Sequence, residues 1–128
     1  MAALIYLDTH VVAWLYAGRP EYFSPKAAGL MNEEDILISP IVQLELQYLY
    51  RIGKIDQPGR TVTDDLEQRI GLRFCDLSFA DVVASALDLD WTRDPFDRMI
   101  VGHASLNDAT LITKDSTIHG NYAGAVWL

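Results

Sequence analysis

The 128-residue chain is poor in positive charge, in cysteine and in long apolar runs, and each shortage excludes something. Ten Lys and Arg against 18 Asp and Glu leave a net charge of −8 and a pI near 4.6. A protein that grips nucleic acid through a broad basic face is therefore excluded, but an enzyme whose acids bind cations is not. Cys75 is the single cysteine, which rules out an internal disulfide and any multi-cysteine metal site. Its neighbours Leu72, Phe74 and Leu77 point to a buried thiol in a strand, because free cysteine packs as a small hydrophobe. A reducing, cytoplasmic compartment is expected. No run reaches the ~18 apolar residues of a membrane span. The segment Met1 to Asp8 lacks the basic region of a secretory signal. Half the residues are apolar and 22% are charged, a globular composition, and the length predicts a single domain over residues 1–128.

Strand-like and helix-like segments alternate along the chain. Leu4 to Leu7, Ile36 to Ile38, Leu72 to Leu77, Thr110 to Thr113 and Ala125 to Leu128 read as strands. Ser24-Pro25 and Ser39-Pro40 each supply an N-cap and a proline at the first helical position, opening helices through Met31 and to Ile52. Gln57 to Arg60 reads as a turn, with a helix from Thr63 to Gly71. Ser78 to Asp81 resembles a capping box before Val82 to Leu89, and Phe96 to Leu106 is helical. This alternation predicts an α/β fold of three layers, α/β/α, with a central parallel sheet. Ligands bind such sheets beyond the carboxyl ends of the strands.

Acids break the apolar pattern at four places. Asp8 directly follows the first strand, where it is either a helix N-cap or a carboxylate fixed at the mouth of the sheet. On the helix after Pro40, Ile41, Leu44, Tyr48, Leu49 and Ile52 cluster on one side at about 100° per residue, with Glu45 among them. Gln43, Gln47 and Arg51 then form the solvent face. An inward glutamate is costly unless it is paired or binds a metal, and the metal is favoured. In Arg93-Asp94-Pro95-Phe96-Asp97-Arg98, Asp94 suits a cap, whereas Asp97 shares a face with Ile100, Val101 and Ala104. Asp115 follows Thr113-Lys114 after the fourth strand, repeating the arrangement of Asp8.

One polar pocket explains all four. Two carboxylates 4 Å apart repel by about 4 kcal/mol at an effective dielectric of 20, so such a group calls for a counter-ion. Hard oxygen donors select Mg²⁺ or Mn²⁺, and phosphodiester hydrolysis is the matching chemistry. His10 is a candidate neighbour, while His103 and His119 read as packing or surface residues.

Leu7-Asp8-Thr9-His10, Glu45 after Ser39-Pro40, Asp94-Pro95-Phe96-Asp97-Arg98 and Thr113-Lys114-Asp115 together resemble the PIN domain, and within it the VapC-type toxins of bacterial toxin–antitoxin pairs. The resemblance runs from residue 4 to the C-terminus and departs at Ile118, where many relatives carry Phe. It implies a Mg²⁺-dependent endoribonuclease in which metal-activated water cleaves RNA, tRNA being one candidate substrate. Asp8, Glu45, Asp97 and Asp115 become the catalytic and metal-binding acids, with Asp94 a secondary ligand or cap. Thr9 and Thr113 become supporting hydroxyls. A homodimer and a cognate antitoxin partner are implied as well.

Rival readings are a PIN-fold protein-binding module without catalysis and a related metal-dependent DNA nuclease. A response-regulator receiver domain fits poorly, since it calls for an acidic pair after the first strand. Trp14, Tyr16, Tyr22, Phe23, Tyr48 and Tyr50 read mainly as core, with some left to line a groove for an antitoxin or a second copy. Arg19, Lys26, Arg51, Lys54, Arg60, Arg93, Arg98 and Lys114 are candidate phosphate contacts, most of them reading as ordinary surface charges.

Overall fold

The computed structural model describes residues 4–127. Met1 to Ala3 of the segment weighed as a signal, and Leu128 of the expected fifth strand, lie outside the described residues. The chain runs β1 (Leu4–Leu7), α1 (Thr9–Ala17), a 3₁₀ turn (Pro20–Tyr22), α2 (Pro25–Glu33), β2 (Asp35–Ile38) and α3 (Pro40–Arg51). It continues through α4 (Gly59–Ile70), β3 (Arg73–Phe74), α5 (Phe79–Leu87), α6 (Pro95–Leu106), β4 (Thr110–Ile112), α7 (Ser116–Asn121) and β5 (Ala125–Val126).

All strand pairings are parallel, in the order β3-β2-β1-β4-β5, and the sheet is the middle layer of an α/β/α sandwich. Parallel neighbours demand crossovers, and the helices supply them. Buried on both sides, β1 is continuously apolar: Ile5, Tyr6 and Leu7 are each at most 1% exposed. The chain leaves β1 toward β2 on one side and β4 lies on the other. The gap between the carboxyl ends of β1 and β4 is thus the topological switch point.

Several helix starts follow the sequence. Ser24 and Ser39 cap α2 and α3, with Pro25 and Pro40 in the first turn. Ser78 caps α5 by accepting from the Asp81 N–H at 3.4 Å. In other places the structure corrects the sequence. The third strand keeps only Arg73 and Phe74, because β3 is an edge with β2 as its one partner; Leu72 and Cys75 are buried on either side. The helix expected from Thr63 begins at Gly59 instead. Pro58-Gly59 looks like a turn, yet Pro58 occupies the N-cap and Gly59 packs directly against α3, where its N–H donates to Gln47 Oε1 at 3.0 Å.

The face of α3 is also corrected. Val42 and Leu46 are its buried residues, and Gln43 reaches α4, donating through Nε2 to Thr63 Oγ1 at 2.9 Å. Leu44, Tyr48 and Ile52 are 58%, 52% and 49% exposed. The helix is turned by roughly 100° from the expected orientation, one residue's rotation. The glutamines satisfy α4 rather than water, and the apolar stripe faces outward. Tyr22, Tyr48 and Tyr50, read as core, are likewise exposed, whereas Trp14, Tyr16 and Phe23 are half-buried.

Polar groups inside the core are few. Tyr6 Oη lies 2.7 Å from Cys75 Sγ and accepts from Asn107 Nδ2 at 2.6 Å, which confirms Cys75 as a buried structural thiol. His103 is buried beside the Tyr6 ring at 6.4 Å; burial holds its pKa below the usual value, with the Met99 backbone working against that shift. Arg98 folds back and donates to the carbonyls of Ala86 and Leu87 at the end of α5, placing a cation at that helix's negative pole.

A Cβ at position 59 would stand 2.5 Å from the Gln43 carbonyl oxygen, a backbone atom that cannot swing aside. Gly59→Ala is expected to destabilise the fold by a net ~1–3 kcal/mol, overpacking outweighing the helix propensity gained. The urea midpoint should fall with its slope unchanged; an equal or higher midpoint would show that α3 and α4 separate freely.

Candidate active site

Asp8 leaves the end of β1 and is 6% exposed. Its Oδ1 accepts from the Thr9 N–H at 2.8 Å, and its Oδ2 accepts from the Thr113 hydroxyl at 2.7 Å. The cap and the cleft carboxylate are therefore the same residue. The Thr9 hydroxyl turns toward α3 and donates to Glu45 Oε1 at 2.5 Å. The Thr113 hydroxyl also accepts from the Asp115 N–H at 3.1 Å. Two fully buried threonines thus link Asp8 to Glu45 on one side and to Asp115 on the other.

The remaining acids arrive on helix ends. Asp115 caps α7 through the Ile118 N–H at 3.0 Å. Asp94 caps α6, its Oδ1 accepting from the N–H groups of Phe96 at 2.8 Å and Asp97 at 3.3 Å. Asp97 stands in the first turn of α6, half-buried, on the side of the buried residues Ile100, Val101 and Ala104. A cleft of about 340 Å³ is lined by Asp8, Glu45, Asp94, Asp97 and Asp115 together with His10, Val11, Trp14 and Lys114. All five acids nominated from the sequence are brought together. Thr9 and Thr113 stand behind them as hydrogen-bond donors.

Crowding raises proton affinity across the cleft. Asp97 is pushed up to about 7, first by burial and then by the charges of Asp94, Asp8, Asp115 and Glu45. Burial raises Asp8 despite the opposing hydrogen bonds from Thr113 and Thr9. Glu45 is raised by burial, with Asp8 and Asp94 adding to it and the Thr9 hydroxyl working against it. Of the two acids in Asp94-Pro95-Phe96-Asp97, Asp97 is the one that feels the whole group. Asp94 commits an oxygen to its cap.

The donor set is oxygen, with one imidazole and no thiolate, which disfavours zinc. Among the described residues no three such groups close into a ready-made cage for an ion. Sequence reasoning missed Val11 and Trp14 as lining residues. A signal existed for Trp14, which stands one helical turn beyond His10 on α1.

Comparison with known proteins bears on the family and the fold. A family model described as the PIN domain matches residues 5–123. No curated protein matches the sequence significantly. Among solved structures, VapBC2 from Rickettsia felis, bound to a DNA fragment from its promoter, superposes with a TM-score of 0.68 at 23% identity, covering 91% of this chain and 92% of that one. VapBC-1 from nontypeable Haemophilus influenzae gives 0.66 at 17% identity, covering 98% and 96%. A toxin–antitoxin complex from Klebsiella pneumoniae gives 0.62 at 19%, also covering 98% and 96%.

Stability should register the crowding. Asp97 titrates near 7 in the fold against 3.8 for an ordinary aspartate, so the folded state holds the extra proton between those values. Ionising it costs stability as pH rises from about 4 to about 7, and the cost is complete above 7. In metal-free protein, Asp97→Asn is expected to raise the melting temperature at pH 8, with the gain vanishing near pH 4. Millimolar Mg²⁺ should narrow the pH 8 difference. Superimposable melting curves in EDTA at pH 8 would mean that the acids do not repel.

Proposed function

Because the chain belongs to the PIN domain family, whose members are nucleases, we propose that it is a Mg²⁺-dependent endoribonuclease and the toxin of a toxin–antitoxin pair. The observation that carries this reading is the convergence of five carboxylates on one open cleft beside a single lysine. Asp8, Glu45, Asp97 and Asp115 hold the cation, with Asp94 as a further ligand and Mn²⁺ as an alternative ion. When bound, the ion supplies positive charge to the scissile phosphate and acidifies water for the attack.

The chain's own residues do the positioning. Thr9 fixes Asp8 and Glu45 relative to each other, and Thr113 does the same for Asp8 and Asp115. Lys114 lines the cleft as a cation for a phosphate oxygen. Solvation of the cleft by its open mouth lets a flexible chain enter, which suits single-stranded RNA, loops of tRNA included.

Partners follow from the same reading. The structural neighbours are toxin–antitoxin complexes, which supports an antitoxin that silences the cleft. The exposed stripe of Leu44 and Tyr48, with Phe96 packed against Tyr48 at 6.1 Å, offers apolar surface for a homodimer. Among the described residues no helix is long and apolar enough to cross a membrane. Action on RNA would be in the cytoplasm.

Asp8→Asn and Glu45→Gln should each lower cleavage of total RNA and tRNA by at least about 100-fold while leaving the circular dichroism spectrum intact. EDTA should abolish cleavage and Mg²⁺ restore it. Wild-type cleavage by Asp8→Asn with EDTA present would sink the metal-dependent reading. Single-stranded DNA of matched sequence, run alongside, separates the RNA nuclease from a DNA nuclease.

A further inference from the structure

A second, larger cavity opens beside the acidic cleft. It measures about 680 Å³ and lies between α1, the 3₁₀ turn and the loop after α3, lined among others by His10, Trp14, Tyr16, Arg19, Tyr22 and Lys54. His10 and Trp14 line the acidic cleft as well, so the two cavities meet at these rings. Trp14 is the hub of an aromatic group: His10 stands at 6.3 Å, Tyr22 at 5.5 Å edge-on, and Phe23 and Trp127 at 6.3 and 5.8 Å behind it. The Arg19 guanidinium lies 5.8 Å from the centre of the Tyr22 ring and 3.6 Å from Glu21. The lining carries two fixed cations, Arg19 and Lys54, against one acid, Asp56. With Glu21 paired to Arg19, the groove is close to neutral beside a strongly acidic cleft.

We propose that this groove is a base-binding subsite for the nucleotides next to the scissile phosphate of single-stranded RNA. The proposal rests on the acidic cleft being the cleavage site. A strand whose phosphate lies among the acids must lead its next nucleotides out of the cleft, and the shared edge at His10 and Trp14 opens into this groove. There, aromatic faces take the bases by stacking and the cations take the backbone, the two elements by which proteins hold single strands without reading every base. Tyr22 is exposed and carries the accessible ring, while Trp14 is anchored by the rings behind it. The groove is local and its cations few, which explains how an acidic protein holds RNA without a broad basic face.

The test measures binding, so it does not depend on cleavage. Fluorescein-labelled ten-nucleotide RNAs, each with one abasic unit at a successive position, are titrated by anisotropy. Ca²⁺ replaces Mg²⁺, and each strand is checked intact on a gel. Abasic units at one or two adjacent positions should weaken binding about tenfold, the remaining positions being tolerated. Tyr22→Ala should flatten this profile and Tyr22→Phe should keep it. Lys54→Ala should reduce the salt slope by about 0.7. Uniform tolerance of abasic units, or a wild-type profile in Tyr22→Ala, would overturn the proposal. So would Tyr22→Ala and Lys54→Ala variants that bind RNA normally but lose affinity for the antitoxin, since the groove would then belong to a protein segment. Absence of Mg²⁺-dependent cleavage with the abasic profile intact would defeat the nuclease reading, and with it the assignment to a scissile phosphate, while the groove would stand as a binding site for single-stranded RNA.

Discussion

The arrangement depends on how one buried carboxylate is satisfied. Asp8 sits at the end of the central strand, almost wholly out of water, and a charge so placed is expensive unless donors meet it. Thr9 meets it from the start of α1 and Thr113 from the end of β4. Those bonds tie the strand on either side of the switch point to the helix that leaves it. The same two threonines carry the tie outward to Glu45 and Asp115. Remove the central acid and the other carboxylates lose their common reference point.

Helix ends make the crowding tolerable. Asp8, Asp94 and Asp115 each cap a helix, so each rests against backbone N–H groups and the positive end of a helix dipole. Three N-termini therefore aim at one place. Glu45 enters from the side of α3 and Asp97 from the first turn of α6, and burial and neighbouring charge raise the proton affinity of both. The capped acids form the floor of the cleft, and Glu45 and Asp97 close it from α3 and α6. Beside this, the cavity along Trp14 is built from other materials, rings and aliphatic side chains with a few charges at its rim. In the proposed reading the two joined cavities divide a substrate between them, phosphate in one and bases in the other.

Much of this was legible in the sequence because the informative residues are exceptions to a strong pattern. Ile5 to Leu7 and Leu111 to Ile112 are apolar enough to be strands buried on both faces, so an acid just beyond them stands out. Asp97 stood out in the same way above Ile100 and Val101. Glu45 was found for a reason the structure revises. Its apolar neighbours Leu44, Tyr48 and Ile52 do not face the core, and Glu45 lies at the border between the buried side of α3 and that exposed stripe. Helical periodicity reports that a face is apolar but not what will cover it. The start of α4 was hidden for a different reason: Pro58-Gly59 has the chemistry of a turn, and only the close approach to Gln43 explains a glycine there. The aromatic groove needed the third dimension, since the loop after α3 is far along the chain from α1 and the 3₁₀ turn that it meets.

The double employment of the acids bears on how such a protein drifts. Asparagine caps a helix about as well as aspartate does. At Asp8, Asp94 or Asp115, a single-base change to Asn removes the negative charge, relieves repulsion and keeps the cap. On the proposed function, loss of catalysis and loss of fold are therefore uncoupled at these positions. A lineage under pressure to disarm such a protein could do so in one step and still make a folded chain. Inert copies that persist as decoys are within easy evolutionary reach.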